Sequence, residues 1–112
     1  MIVETMIKQL IDFRQKLKFT DSEWHKRGLN PSDSELCSSM ESLLNECVDT
    51  LVNSLKEGKT INFIKDDLLS GFSRFERMNY DTEESEFICD YFYELSQILG
   101  INIGDDLNNW IE

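Results

Sequence analysis

Between Ser32 and Gly58 the chain runs for about seven helical turns without a proline or an internal glycine. Along it Leu36, Met40, Leu43, Leu44, Cys47, Val48, Leu51 and Leu55 recur at intervals of three and four residues. That rhythm puts the apolar side chains on one stripe of an α-helix, and the stripe leaves water only if other elements pack against it. A strand would need alternation at a period of two. No such run occurs in the sequence, nor an Asn-Gly or Asp-Gly hairpin turn, nor an internal repeat. The chain is therefore predicted to be all-α.

The flanking segments repeat the pattern. Ile2, Val3, Met6, Ile7, Leu10, Phe13 and Leu17 fall on one half of a first helix. Thr20 with Glu23 has the spacing of a capping box and Gly28 closes a short helix carrying Trp24, after which Asn30 and Pro31 break the chain. Ser32 with Glu35 is a second box, opening the long helix. Thr60 or Asn62 caps the next segment, where Ile61, Ile64, Leu68, Phe72 and Phe75 make a narrower stripe. Gly71 inside that stripe costs about 1 kcal/mol relative to alanine, so it marks either close helix packing or simple tolerance.

Asp81 with Glu84 gives a third box ahead of Phe87, Ile88, Tyr91, Phe92, Leu95, Ile98 and Leu99, and Gly100 ends the run. Asp105 or Asp106 caps a last turn through Trp110. With 112 residues, 40% of them hydrophobic, the chain buries one core. The expectation is a single all-helical domain over 1–112, a compact bundle of about five helices plus a short C-terminal turn.

The three cysteines form no Cys-x-x-Cys pair and the first residues lack the pattern of a secretory leader, which points to a reducing, cytoplasmic setting. No stretch approaches the roughly 18 apolar residues of a membrane span. The net charge is -11, and its distribution is uneven: +2 over residues 1–30, -4 over 31–77 and -9 over 78–112, with Arg77 the last basic residue. Nucleic acid and anionic lipid reward lysine and arginine, so neither is expected as a partner.

Within the helix that starts at Asp81, Glu83, Glu86, Asp90 and Glu94 fall within about 80° of one another on the helical wheel. Like charges at this spacing oppose helix formation, while acids near a helix N-terminus are favoured by the macrodipole. The dipole accounts for Glu83 and Glu86 but not for Asp90 and Glu94, which no nearby lysine or arginine in the sequence answers. The stripe is either a solvated face or an acidic docking surface. Tyr93 borders it and is the leading candidate for a contact residue. Trp24, Tyr80 and Trp110 also lie at segment ends or off the apolar arcs, where they serve as interface anchors or as plugs of the bundle.

Signals for chemistry are sparse. His25 is the single histidine, and no nucleophile elbow or other local nucleophile signature accompanies it. Metal-ligand spacings and a phosphate-cradling glycine loop do not occur in the sequence, and Cys37, Cys47 and Cys89 read as small core residues. No enzymatic activity, cofactor or metal is expected.

The segment DTEESEFICDYFYEL from Asp81 to Leu95, followed by LGINI and then by Leu107, Asn108, Asn109 and Trp110, resembles a group of short all-helical bacterial proteins. In size and acidity the chain is similar to immunity proteins of contact-dependent growth inhibition systems. That resemblance implies a protein that neutralises a cognate toxin, a basic nuclease, by covering its cleft or an adjacent surface with an acidic helical face. Glu83, Glu86, Asp90, Tyr93 and Glu94 would then form the partner-binding face. Two alternatives stay open: a nucleic-acid mimic that inhibits a DNA-binding protein, and a structural or adaptor protein with no inhibitory role. The sequence leaves the oligomeric state undetermined.

Overall fold

The long stripe becomes α3 (Ser34–Lys56), and the segments around it become α1 (Ile2–Gln15), α2 (Asp21–Lys26), α4 (Ile61–Ser73), α5 (Thr82–Leu99) and α6 (Gly104–Ile111). The structure is a computed structural model describing residues 2–29 and 31–111, with no side chain described for Ile2. The expected core position of Ile2 and the break at Asn30 lie outside the described residues. A 3₁₀ turn at Arg77–Asn79, which no capping or periodic signal announced, precedes α5. Among the described residues there is no strand, and the fold is an all-α bundle. Helix α3 packs against α4 and α1, while α5 packs against α6 and α1.

The helix ends show why the boundaries fall where they do. Thr20 and Thr60 each accept a backbone N–H three residues on, at 3.3 Å. Asp81 and Glu84 form the full reciprocal box, with Glu84 N–H donating to Asp81 and Asp81 N–H donating to Glu84. The box expected at Ser32 is corrected: Asp33 caps α3 through the Glu35 N–H, and Ser32 Oγ instead donates to Glu84 at 2.5 Å. The carboxylate takes the cap, leaving the hydroxyl to tie the start of α3 to the start of α5. At the last helix the expected aspartate cap is likewise replaced, because Asn102 Oδ1 accepts the Gly104 N–H and Asp105 and Asp106 lie within the first turn. Gly100, at φ 68°, ends α5, and the following Ile101 N–H reaches back to Ser96 O.

Gly71 is a close-packing residue. A Cβ built on it would stand 2.8 Å from Cys47 Cβ and closer still to the Cys47 sulfur, so its bare backbone sets how near α4 approaches α3. The core runs from Leu10 and Phe13 through Met40, Leu44, Val48 and Leu51 to Ile64, Leu68, Phe87, Ile88, Phe92 and Leu95. Three expected core positions are exposed: Val3, at 39%, Leu17, at 75%, and Ile61, at 53%. Helix α1 stops at Gln15, and Lys18 Nζ donates to the Arg14 and Lys16 carbonyls at its C-terminus. The chain then turns through Phe19 at φ 58°, and it is the Phe19 ring, not the Leu17 side chain, that enters the core.

Burial makes the interior sensitive to alkali. It pushes the Cys47 thiol up to about 12, the Cys89 thiol to about 11 and the Tyr91 hydroxyl to about 12. Groups raised in this way contribute stability that is complete below their ordinary values, 9.0 for cysteine and 10.0 for tyrosine, and lost as pH climbs through the shifted ones. Lys18 acts oppositely: burial lowers it from 10.5 to about 8, so its contribution rises across that interval. Urea unfolding is expected to show a shallow rise from pH 8 to 9 and then a fall towards pH 12. Lys18→Met should flatten the rise, and Cys47→Ala should soften the fall.

Candidate functional site

Helix α5 is fixed at both ends, by the Asp81–Glu84 box and by Gly100, and its inner side is pinned by buried Phe87, Ile88, Tyr91, Phe92 and Leu95. Its opposite side is therefore presented in one orientation. Glu86, Asp90, Tyr93 and Gln97 are exposed along it, with Glu83 and Glu94 half-buried at its flanks. The spacing expected from the sequence does bring the five candidate residues onto one face.

The electrostatics of that face differ from the sequence expectation. Asp90 accepts from Arg27 Nε at 3.1 Å, and Glu94 from Lys16 Nζ at 2.6 Å. The unanswered stripe is thus corrected at two of its four acids: the cations come from 63 and 78 residues earlier in the chain, where local sequence spacing gives no sign of them. Arg27 also lies over the Phe87 ring, 4.1 Å from its centroid, and Lys16 over Phe13 at 4.9 Å. Exposed pairs of this kind contribute only about 0.2–1 kcal/mol, so they neutralise the middle of the stripe without locking it. Glu83 and Glu86 have no ion pair among the described residues. A phosphate-like row needs successive free carboxylates, and Arg27 and Lys16 interrupt it.

Of the four aromatic candidates, one stays open to solvent. Trp24 is wholly buried, with its Nε1–H on Phe19 O at 3.1 Å, and Trp110 lies against Phe72 with its Nε1–H on Phe75 O. Tyr80 is half-buried near the Phe75 ring. Tyr93 is 56% exposed and has no ring contact among the described residues. It stands on the rim of a cleft of about 420 Å³ between α5 and α6, formed with Ser96, Gln97 and the Gly100–Gly104 link. A second cleft, about 280 Å³ and lined by Gln9, Asp12, Phe13, Lys16, Glu94 and Ile98, runs along the α1 side of the same helix. The link cleft was not anticipated; the glycines at 100 and 104 and the apolar residues at 101 and 103 were its only trace in the sequence.

Chemistry-bearing groups are dispersed. His25 is exposed on α2, and its side chain has no partner among the described residues. Cys37 and Cys89 are half-buried against the core and Cys47 is buried, all three as free thiols. Among the described residues no three histidine, cysteine or acidic side chains gather as metal ligands, and no helix is long and apolar enough to cross a membrane.

A family model described as a domain of unknown function, DUF4844, matches residues 1–112. Among solved structures the chain is similar to a DUF3571 family protein from Acinetobacter baumannii AYE, with 20% identity, 98% of this chain and 90% of that chain covered, and a TM-score of 0.85. At that identity the likeness is one of fold. No curated protein matches the chain.

Proposed function

The chain belongs to the DUF4844 family, and on that premise we propose that it is a non-catalytic protein-binding module of the immunity type, capturing a basic toxin domain on the outward face of α5. The observation that carries the reading is Tyr93, a large aromatic held 56% exposed on a rigid helix face whose other members are polar. An amphipathic ring of this kind loses little conformational entropy on docking and is a frequent hot spot. The net charge of -11, with no lysine or arginine beyond Arg77, supports a cationic partner. Steering arises from this overall field and from Glu83 and Glu86, since Asp90 and Glu94 are already paired. Their two pairs are weak enough for a partner's own cations to replace Arg27 and Lys16 during docking. The partner is a nuclease in this reading because a nuclease cleft is cationic.

Co-expression with the product of the adjacent reading frame tests the proposal. The expected result is a stable complex, relief of growth arrest, and an association rate that falls about tenfold or more between low and high salt. A partner that neither binds nor arrests growth would overturn the toxin reading, and a salt-insensitive rate would remove electrostatic steering.

A further inference from the structure

We propose that the cleft between α5 and α6 seats an extended, basic peptide segment of the partner. The inference rests on the protein-binding reading above and specifies the form in which the partner is held. In the link from Gly100 to Gly104, Ile101 and Ile103 are buried while Asn102 between them is exposed, the in-out alternation of a strand. The two isoleucines anchor the link. Its hydrogen bonding is incomplete: Ile101 N–H is taken by Ser96 O, Gly104 N–H by the Asn102 side chain, and Ile103 O by Leu107 N–H. The N–H groups of Asn102 and Ile103 and the carbonyls of Ile101 and Asn102 meet no partner among the described residues. In an extended link the free N–H and carbonyl of Asn102 share one edge, and such a pair, beside a cleft of about 420 Å³, is what one residue of an extended peptide exchanges two hydrogen bonds with when the peptide adds as a strand.

The charge selects the peptide. The residues lining the cleft are uncharged, so the charge beside it comes from its neighbours. Asp105 and Asp106 follow directly on its Gly104 side. Tyr93 on the rim offers a ring face to a guanidinium or ammonium group. An arginine or lysine side chain of the bound segment stacks on Tyr93 while its backbone pairs with that of Asn102.

The test uses two blocked hexapeptides, alternating valine–arginine and alternating valine–glutamate, titrated into the ¹⁵N-labelled full chain. The basic peptide should move the amide peaks of Asn102, Ile103 and Gly104, and the acidic one should not. Gln97 is exposed on the cleft wall, so Gln97→Lys should weaken the basic peptide about fivefold and Gln97→Glu should strengthen it, without disturbing the fold. Tyr93→Ala should abolish the shifts. Equal response to both peptides, shifts centred elsewhere, or no shift overturns the assignment. If the co-expressed partner still binds in a Glu86-dependent manner after such a failure, the α5 face stands and the cleft alone is lost. If the partner also fails to bind, both readings fall.

Discussion

A Trp24→Ala variant is expected to lose about 3–5 kcal/mol of folding stability, read as a lower urea midpoint at an unchanged slope. For a domain of this size that is a large share of the roughly 5–15 kcal/mol available. The indole is fully buried, its ring 4.6 Å from that of Phe87 and 6.3 Å from that of Phe19. Its Nε1–H donates to Phe19 O, and the Phe19 N–H donates to the Tyr91 hydroxyl at 3.3 Å. These two bonds and three ring contacts hold Phe19 in the left-handed region, a conformation that costs a bulky residue about 1–3 kcal/mol. Removing the indole therefore opens a cavity and also removes a restraint on a strained residue. Trp24→Phe keeps most of the volume and should lose less; equal losses would show that the hydrogen bond, not the packing, dominates.

Gly71→Ala is expected to destabilise by about 1–3 kcal/mol, although alanine is the better helix former by about 1 kcal/mol. The added methyl would enter the space of Cys47, 2.8 Å from its Cβ, and α4 would have to move away from α3 along a seam that includes Leu51, Leu55, Ile64 and Leu68, all buried. Cys47→Ala in the same chain removes the sulfur but not the Cβ, so partial recovery of the urea midpoint is expected. A Gly71→Ala chain more stable than the parent would show that the glycine is tolerated and not required.

Periodicity and caps made most of the helical architecture legible, because both are local properties. The stripe of α3 and the reciprocal Asp81–Glu84 box needed no knowledge of neighbours. Val3, Leu17 and Ile61 misled because each sits where a helix ends or begins, and at the last two the turn at Phe19 or the cap at Thr60 decides which way the side chain faces. The 3₁₀ turn before α5 is too short to leave a period.

The candidate face was legible to the same degree. Spacing placed Glu83, Glu86, Asp90, Tyr93 and Glu94 together on α5, and it left Tyr93 off the apolar arc. Which acids are free depends on tertiary approach: Arg27 arrives from the end of α2 and Lys16 from just past α1, and nothing within α5 records them. The cleft by Tyr93 needs the α5–α6 junction to exist before it has any shape.

The dissociation constant of the complex with the co-expressed partner, measured for the parent chain and for Tyr93→Ala at matched urea midpoints, tests the central claim most directly. Truncating an anchor at the heart of the interface is predicted to weaken binding about tenfold or more, chiefly through faster dissociation. An affinity unchanged by the substitution would place the interface elsewhere on the molecule and contradict the account.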